Sequence, residues 1–145
     1  MLVVMFGYPR SGKSTWVKEW YIPHGYSAVS PDSIRRVLHG KSYIQAMEHL
    51  VWATAYIMAD SLLSMGNKVV VDATSINHVR RAPWKNRGAV FHHVPTPPEE
   101  CMRRASCQSN AVDITPIIEG MMKEWEPLGE GETSWQPPAN ISTPE

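Results

Sequence analysis

The fold is decided by the stretch Leu2-Val3-Val4-Met5-Phe6-Gly7-Tyr8-Pro9-Arg10-Ser11-Gly12-Lys13-Ser14-Thr15-Trp16. Residues 2–6 are apolar without alternation, the pattern of a strand buried on both faces. The run G-Y-P-R-S-G-K-S that follows matches G-x-x-x-x-G-K-[ST] at every defined position. Trp16, Val17 and Trp20 then recur at helical spacing, so strand, glycine-containing loop and helix follow one another. That order of elements gathers backbone N–H groups and the positive end of a helix dipole around an anion. The anion expected is a nucleotide polyphosphate, held by Gly7, Pro9, Arg10, Ser11, Gly12, Lys13, Ser14 and Thr15. Lys13 is expected to reach the β- and γ-phosphates, and the Ser14 hydroxyl to sit on a Mg²⁺ that bridges them. Arg10 stands where many such loops carry glycine, so either φ need not be positive there or strain is tolerated.

With 145 residues, 43% of them hydrophobic, the chain has material for one three-layer domain. A formal net charge of zero argues against coating nucleic acid through overall charge and leaves room for a local basic patch. Cys101 and Cys107 fit neither a disulfide framework nor a metal set, and read as reduced thiols of a cytoplasmic protein. No run approaches the roughly 18 apolar residues of a membrane span, and no leader is expected ahead of the first strand.

Taken in order, the first helix is predicted from about Gly12 to Ile22, stopped by Pro23 and Gly25. A short strand, Ser27-Ala28-Val29, leads into Ser30-Pro31-Asp32-Ser33-Ile34-Arg35-Arg36-Val37-Leu38, a helix start with a Ser cap, a first-position Pro and an acid in the first turn. Asp32 is thereby placed at the carboxyl end of a parallel strand, where ligands gather in open α/β sheets. It reads either as an ordinary first-turn acid or as a general base for a hydroxyl beside the γ-phosphate. Arg35, one turn further on the same face, is placed to hold an anion of the acceptor.

From Tyr43 to Met65 the residues Ile44, Met47, Val51, Met58, Leu62 and Met65 suggest the stripe of a long amphipathic helix whose methionines fill the core. His49 and Asp60 have no evident partner in the sequence. The third strand is read as Lys68-Val69-Val70-Val71-Asp72-Ala73-Thr74, apolar until Asp72, which is expected opposite Ser14 where it could hold Mg²⁺ or its waters. Residues 76–88 carry Arg80, Arg81, Lys85, Arg87 and Trp84, with Pro83 opposing a long helix. They read as a solvated cluster, or as a basic loop that touches a nucleic-acid backbone and stacks a base. The fourth strand, residues 89–94, points His92 and His93 to opposite faces. A helix from Glu99 to about Gln108 brings Arg103 and Arg104 to where cations could close over the nucleotide. Thr115-Pro116 opens a last helix expected to pack Ile117, Ile118, Met121, Met122 and Trp125 on the sheet. From Leu128 onward, Pro and Gly scattered among polar residues predict an irregular tail over 128–145, with the domain at 1–127. Together these elements predict an α/β domain with a four- or five-stranded, mostly parallel sheet, and a nucleotide edge carrying Gly12, Asp32 and Asp72.

The P-loop, S-P-D-S-I-R, V-V-V-D-A-T, and E-C-M-R-R followed by T-P-I-I-E-G-M-M-K-E-W-E-P stand in one order. Together they resemble the phage-type polynucleotide 5′-kinase family and its wider group of small P-loop kinases, over residues 1–127. The resemblance implies a three-layer P-loop kinase-like domain that moves the γ-phosphate of ATP to a 5′-hydroxyl of DNA or RNA, as in nucleic-acid repair. It implies catalytic roles for Asp32, Lys13 and Arg104, with Asp32 activating the hydroxyl and Arg104 acting from a lid. Asp32, Arg35, Asp72 and Arg80 would belong to the acceptor side, and Ser14 and Asp72 to the metal. The chain departs from that family in Gln108, where a second lid arginine is expected, and in a short segment between the third and fourth strands. D-A-T-S at 72–75 is closer to the wider group. The alternatives are a kinase for a small metabolite or sugar, and a catalytically weak ATP-binding module. A long groove lined by Arg35, Arg80 and Arg81 would favour nucleic acid, and a closed pocket the metabolite.

Overall fold

Five parallel strands lie in the order β2-β3-β1-β4-β5: β1 Leu2–Phe6, β2 Tyr26–Val29, β3 Lys68–Val71, β4 Val90–His93 and β5 Thr133–Ser134. The computed structural model describes residues 1–40, 43–107 and 113–138. Every residue of β1 is buried, because the strand is central and covered on both faces. Its alternation sorts the core in two: Leu2 and Val4 join Val29, Val51, Val69, Val71, Trp84 and Phe91 on one side. Val3 and Met5 join Val17, Trp20, Tyr21, Tyr26, Val70 and Val94 on the other.

Helix α1, Lys13–Trp16, runs on into a π-helical turn, Val17–Tyr21, that carries Trp20 and Tyr21 under the sheet. Helix α2, Pro31–His39, begins as the sequence predicts: Ser30 Oγ accepts a hydrogen bond from the Ser33 N–H at 3.2 Å, and Pro31 takes the first position. A 3₁₀ turn, Gln45–Met47, opens helix α3, Glu48–Ser64. Helix α4 spans His78–Lys85, α5 Pro98–Ser106 and α6 Thr115–Glu124. The connection from β1 runs to β2 on one side of the sheet, and the connection from β3 crosses past β1 to β4 on the other, so the direction of winding reverses between β1 and β3. A ligand crevice in an open α/β sheet forms at such a point, and here it coincides with the G-x-x-x-x-G-K-S loop.

Four expectations are corrected. The buried stripe of α3 is Val51, Ala55 and Ala59, while Met58 is 37% and Met65 74% exposed. Alanines at a spacing of four let the helix axis approach the sheet closely, which long methionines would prevent. Residues 78–85 form a helix through Pro83 instead of a basic loop, with Trp84 and Arg81 fully buried, so Trp84 stacks no base. On α6 only Ile118 is buried; Ile117 and Met122 are 51% and 41% exposed, and Trp125 stacks on Tyr8 and Phe6 at 4.6 Å. The segment after residue 127 carries structure: β5 pairs with β4, and Trp135 packs against Trp20 and Tyr21. Gln108 and residues 139–145 lie outside the described residues.

Candidate active site at the carboxyl edge of the sheet

Phe6 hands the chain to Gly7, whose N–H donates to the Thr74 carbonyl at 3.0 Å and so ties the loop to the end of β3. Only glycine fits there, since a Cβ would lie 2.9 Å from Ser11 Oγ and 3.0 Å from the Val94 carbonyl. The loop then turns with φ 67° at Arg10 and φ 107° at Gly12, so the non-glycine residue does take the left-handed conformation. Pro9 precedes it half-buried, Ser11 is fully buried, and the Ser11 carbonyl accepts from Thr96 Oγ1 at 2.7 Å. Thr96 thus braces the loop from the segment after β4, a contact that leaves no signature in the sequence.

Beyond Gly12 the chain enters α1 with Lys13 buried, Ser14 exposed and Thr15 half-buried. Lys13 Nζ folds back to donate to the Tyr8 carbonyl at 2.6 Å and lies 3.4 Å from Ser11 Oγ. Burial lowers its pKa to about 8, against the raising influence of Asp72. Ser14 Oγ donates to Asp72 Oδ2 at 2.7 Å, bringing together the two residues that the sequence places on either side of a metal. A hydroxyl and a carboxylate are the hard oxygen donors that Mg²⁺ prefers, so this pair fits the ion. Among the described residues there is no group of three or more His, Cys, Asp or Glu able to hold a metal. A Mg²⁺ here would complete its shell with phosphate and water oxygens, as is usual for that ion.

Asp32 stands on the same edge in the first turn of α2, its Oδ2 accepting from Arg36 at 2.7 Å and its Oδ1 without a hydrogen bond among the described residues. Arg35 does not stand free. Its Nε and Nη2 donate to Glu48 at 2.9 and 2.7 Å, a two-bond pair that holds the Glu48 carboxyl below the usual carboxylate range. Glu48 was not legible as a partner, since it starts a different helix. Arg104 reaches the loop as expected: its Nη1 donates to the Arg10 carbonyl at 3.2 Å while Glu100 holds its Nε at 3.1 Å.

The three arginines expected along one groove separate. Arg35 and Arg80 both approach the Trp52 ring, at 6.0 and 5.9 Å from its centroid, beside an open cavity of about 400 Å³. Arg81 is turned inward, bonded to Glu132, the Ser75 carbonyl and the carbonyls of Glu126 and Pro127. It is therefore structural, and the groove has two cations where three were expected. His92 and His93 do face apart: His92 is bonded to Tyr21 at 2.7 Å, and burial lowers its pKa to about 4, whereas His93 stacks on Phe6.

Residues 2–116 match the family model described as an AAA domain. No curated protein matches the sequence. Among solved structures, the fold is similar to a Pnkp1/Rnl/Hen1 RNA repair complex, with TM-score 0.72 and 19% identity over 85% of this chain and 43% of that one. It is similar to a gluconokinase from Sinorhizobium meliloti 1021, with TM-score 0.64 and 19% identity over 91% and 79% of the two chains. A sugar kinase from Janibacter sp. HTCC2649 gives TM-score 0.73 and 17% identity over 94% and 87%. The chain thus spans less than half the length of the repair-complex chain and most of the sugar-kinase chain. These likenesses establish a P-loop kinase-like fold.

Proposed function

We propose, for a chain that belongs to the AAA-domain family, an ATP-dependent kinase acting on the 5′-hydroxyl end of DNA or RNA. The observation that carries this reading is the open cavity lined by Trp52 and Arg80, with Arg35 6.0 Å from the Trp52 centroid and itself one helical turn from Asp32 on α2. Two cations around an aromatic ring suit a nucleotide end, which has a phosphate and a base.

In this reading the loop from Gly7 to Thr15 cradles the ATP phosphates, with Lys13 leaving the Tyr8 carbonyl for them. Ser14 and Asp72 hold Mg²⁺, which when bound neutralises phosphate charge. Asp32 uses its open Oδ1 to accept the proton of the attacking hydroxyl. Arg104, already on the Arg10 carbonyl, is near enough to offset charge on the transferred phosphoryl group. Catalysis is then largely positioning and charge stabilisation.

A second reading, a sugar or sugar-acid kinase, is favoured by one feature: Arg81 is withdrawn, so no long basic groove extends past Arg80. The two readings share the donor site and differ in the acceptor. Incubating the protein with γ-labelled ATP and an equal mixture of a 5′-hydroxyl oligonucleotide, sugars and sugar acids separates them. Label on the oligonucleotide is the expected outcome. Label on a carbohydrate with none on the oligonucleotide would transfer the assignment to the second reading, and ATP binding with no transfer to any acceptor would leave a nucleotide-binding module.

A further inference from the structure

We infer that Trp52 is the platform on which the 5′-terminal base of the acceptor stacks, with Arg80 as the cation for its phosphate, an inference that rests on the kinase reading above. Trp52 lies on α3, away from the P-loop, and lines the cavity of about 400 Å³ with Tyr43, Gln45, Tyr56 and Arg80. That volume is in the range of cavities that hold one small ligand, roughly 300–1,000 Å³. It admits one nucleotide, and longer stretches of the strand would have to lie outside it.

The chemistry of the walls selects the occupant. Both guanidinium groups lie at about the 6 Å outer limit for attraction to an aromatic face, and the half-buried Trp52 ring lines the open cavity. The charge of Arg35 is matched by Glu48. Arg80 is exposed, and its side chain has no hydrogen bond or ion pair among the described residues. Glu48 also lines the cavity, bonded to Arg35 and within electrostatic reach of Arg80, so the two arginines and one carboxylate leave one net positive charge beside an aromatic surface, complementary to a flat base attached to an anion. Arg35 links this surface to the helix of the proposed base, since it shares α2 with Asp32 and its guanidinium lies 6.0 Å from the Trp52 centroid.

The test compares two single-stranded 5′-hydroxyl oligonucleotides that differ only in whether the 5′-terminal sugar carries a base. With the unaltered protein, removing the base is expected to raise the acceptor KM about five- to a hundredfold, the range of one base-to-aromatic stack, with the KM for ATP unmoved. Trp52→Ala is expected to raise the KM for the intact oligonucleotide by a similar factor and to abolish the difference between the two acceptors, because both changes remove one contact. Trp52→Phe, which keeps a ring, should fall between. Equal KM values for the two acceptors with the unaltered protein would overturn the inference while leaving the kinase assignment intact. Persistence of the full base effect in Trp52→Ala, or its complete loss in Trp52→Phe, would overturn the role of Trp52. Failure to label either oligonucleotide, with ATP still bound, would remove the kinase reading and this inference with it.

Discussion

Lys13 spends its charge on its own loop, donating to the Tyr8 carbonyl from a buried position that lowers its pKa to about 8. Nucleotide phosphates favour the protonated amine, so the bound state takes up a proton that the empty site begins to lose as pH rises through about 8. ATP affinity is therefore expected to be level below that pH and to fall above it, some two units earlier than an ordinary lysine would dictate. Lys13→Arg, which cannot deprotonate, should flatten this profile even where it weakens binding. Calorimetric titration of ATP between pH 6 and pH 10 reads both, and a level profile to about pH 10 in the unaltered protein would contradict it. At this scale the sequence was legible for Lys13, Ser14 and Asp72, because a fixed local motif and a strand end fix their places. It was not legible for Glu48 on Arg35 or Thr96 on Ser11, since each pairs residues far apart in the chain through side chains of common type.

Helix α3 shows how periodicity can find an element and misjudge its face. Apolar residues lie all round it, so the spacing of its large side chains suggested a methionine stripe, whereas the sheet selects the small ones. Ala55 and Ala59 are fully buried in the cluster that holds Val29 of β2 and Val69 and Val71 of β3. Ala55→Leu is expected to cost about 1–3 kcal/mol through overpacking, and Met65→Lys to change stability by less than about 0.5 kcal/mol. Urea unfolding measures both, and a neutral Ala55→Leu would show that the helix does not pack as described. Helix α4 teaches the same lesson from Pro83: a proline opposes a long helix, yet these eight residues form a short one capped by the Asn77 side chain, which accepts from the Arg80 N–H at 2.9 Å.

The whole domain is closed by a buried ion pair that joins the segment after α6 to the rest. Arg81 and Glu132 have side-chain exposures of 0% and 3%, and Arg81 also holds the carbonyls of Glu126 and Pro127. Burial alone would raise the Glu132 carboxyl, but bonds from Arg81 and the Gly129 N–H more than offset it and hold the pKa below the ordinary value. A carboxylate lowered in the folded state contributes stability above its unfolded pKa, near about 4.3, and that contribution fades as pH falls through the lower folded value. Glu132→Ala leaves a buried guanidinium without its partner and is expected to cost about 3–5 kcal/mol at neutral pH, read from the urea midpoint. A loss below about 1 kcal/mol would mean that the segment is not pinned. The scattered prolines and glycines of this segment hid β5, because a strand of two residues has no periodicity to detect. The layered α/β order was legible because apolar runs at β1 and β3 require cover on both faces. For the activity as a whole, the deciding measurement is transfer of label from γ-labelled ATP to a 5′-hydroxyl oligonucleotide by the unaltered protein and by Asp32→Asn. The account predicts a phosphatase-sensitive label at the 5′ end, a loss of about 10²–10⁴ in kcat for Asp32→Asn, and ATP affinity within about twofold of the unaltered protein. An Asp32→Asn protein that labels the oligonucleotide at full rate, or an unaltered protein that binds ATP and labels no oligonucleotide, would contradict it.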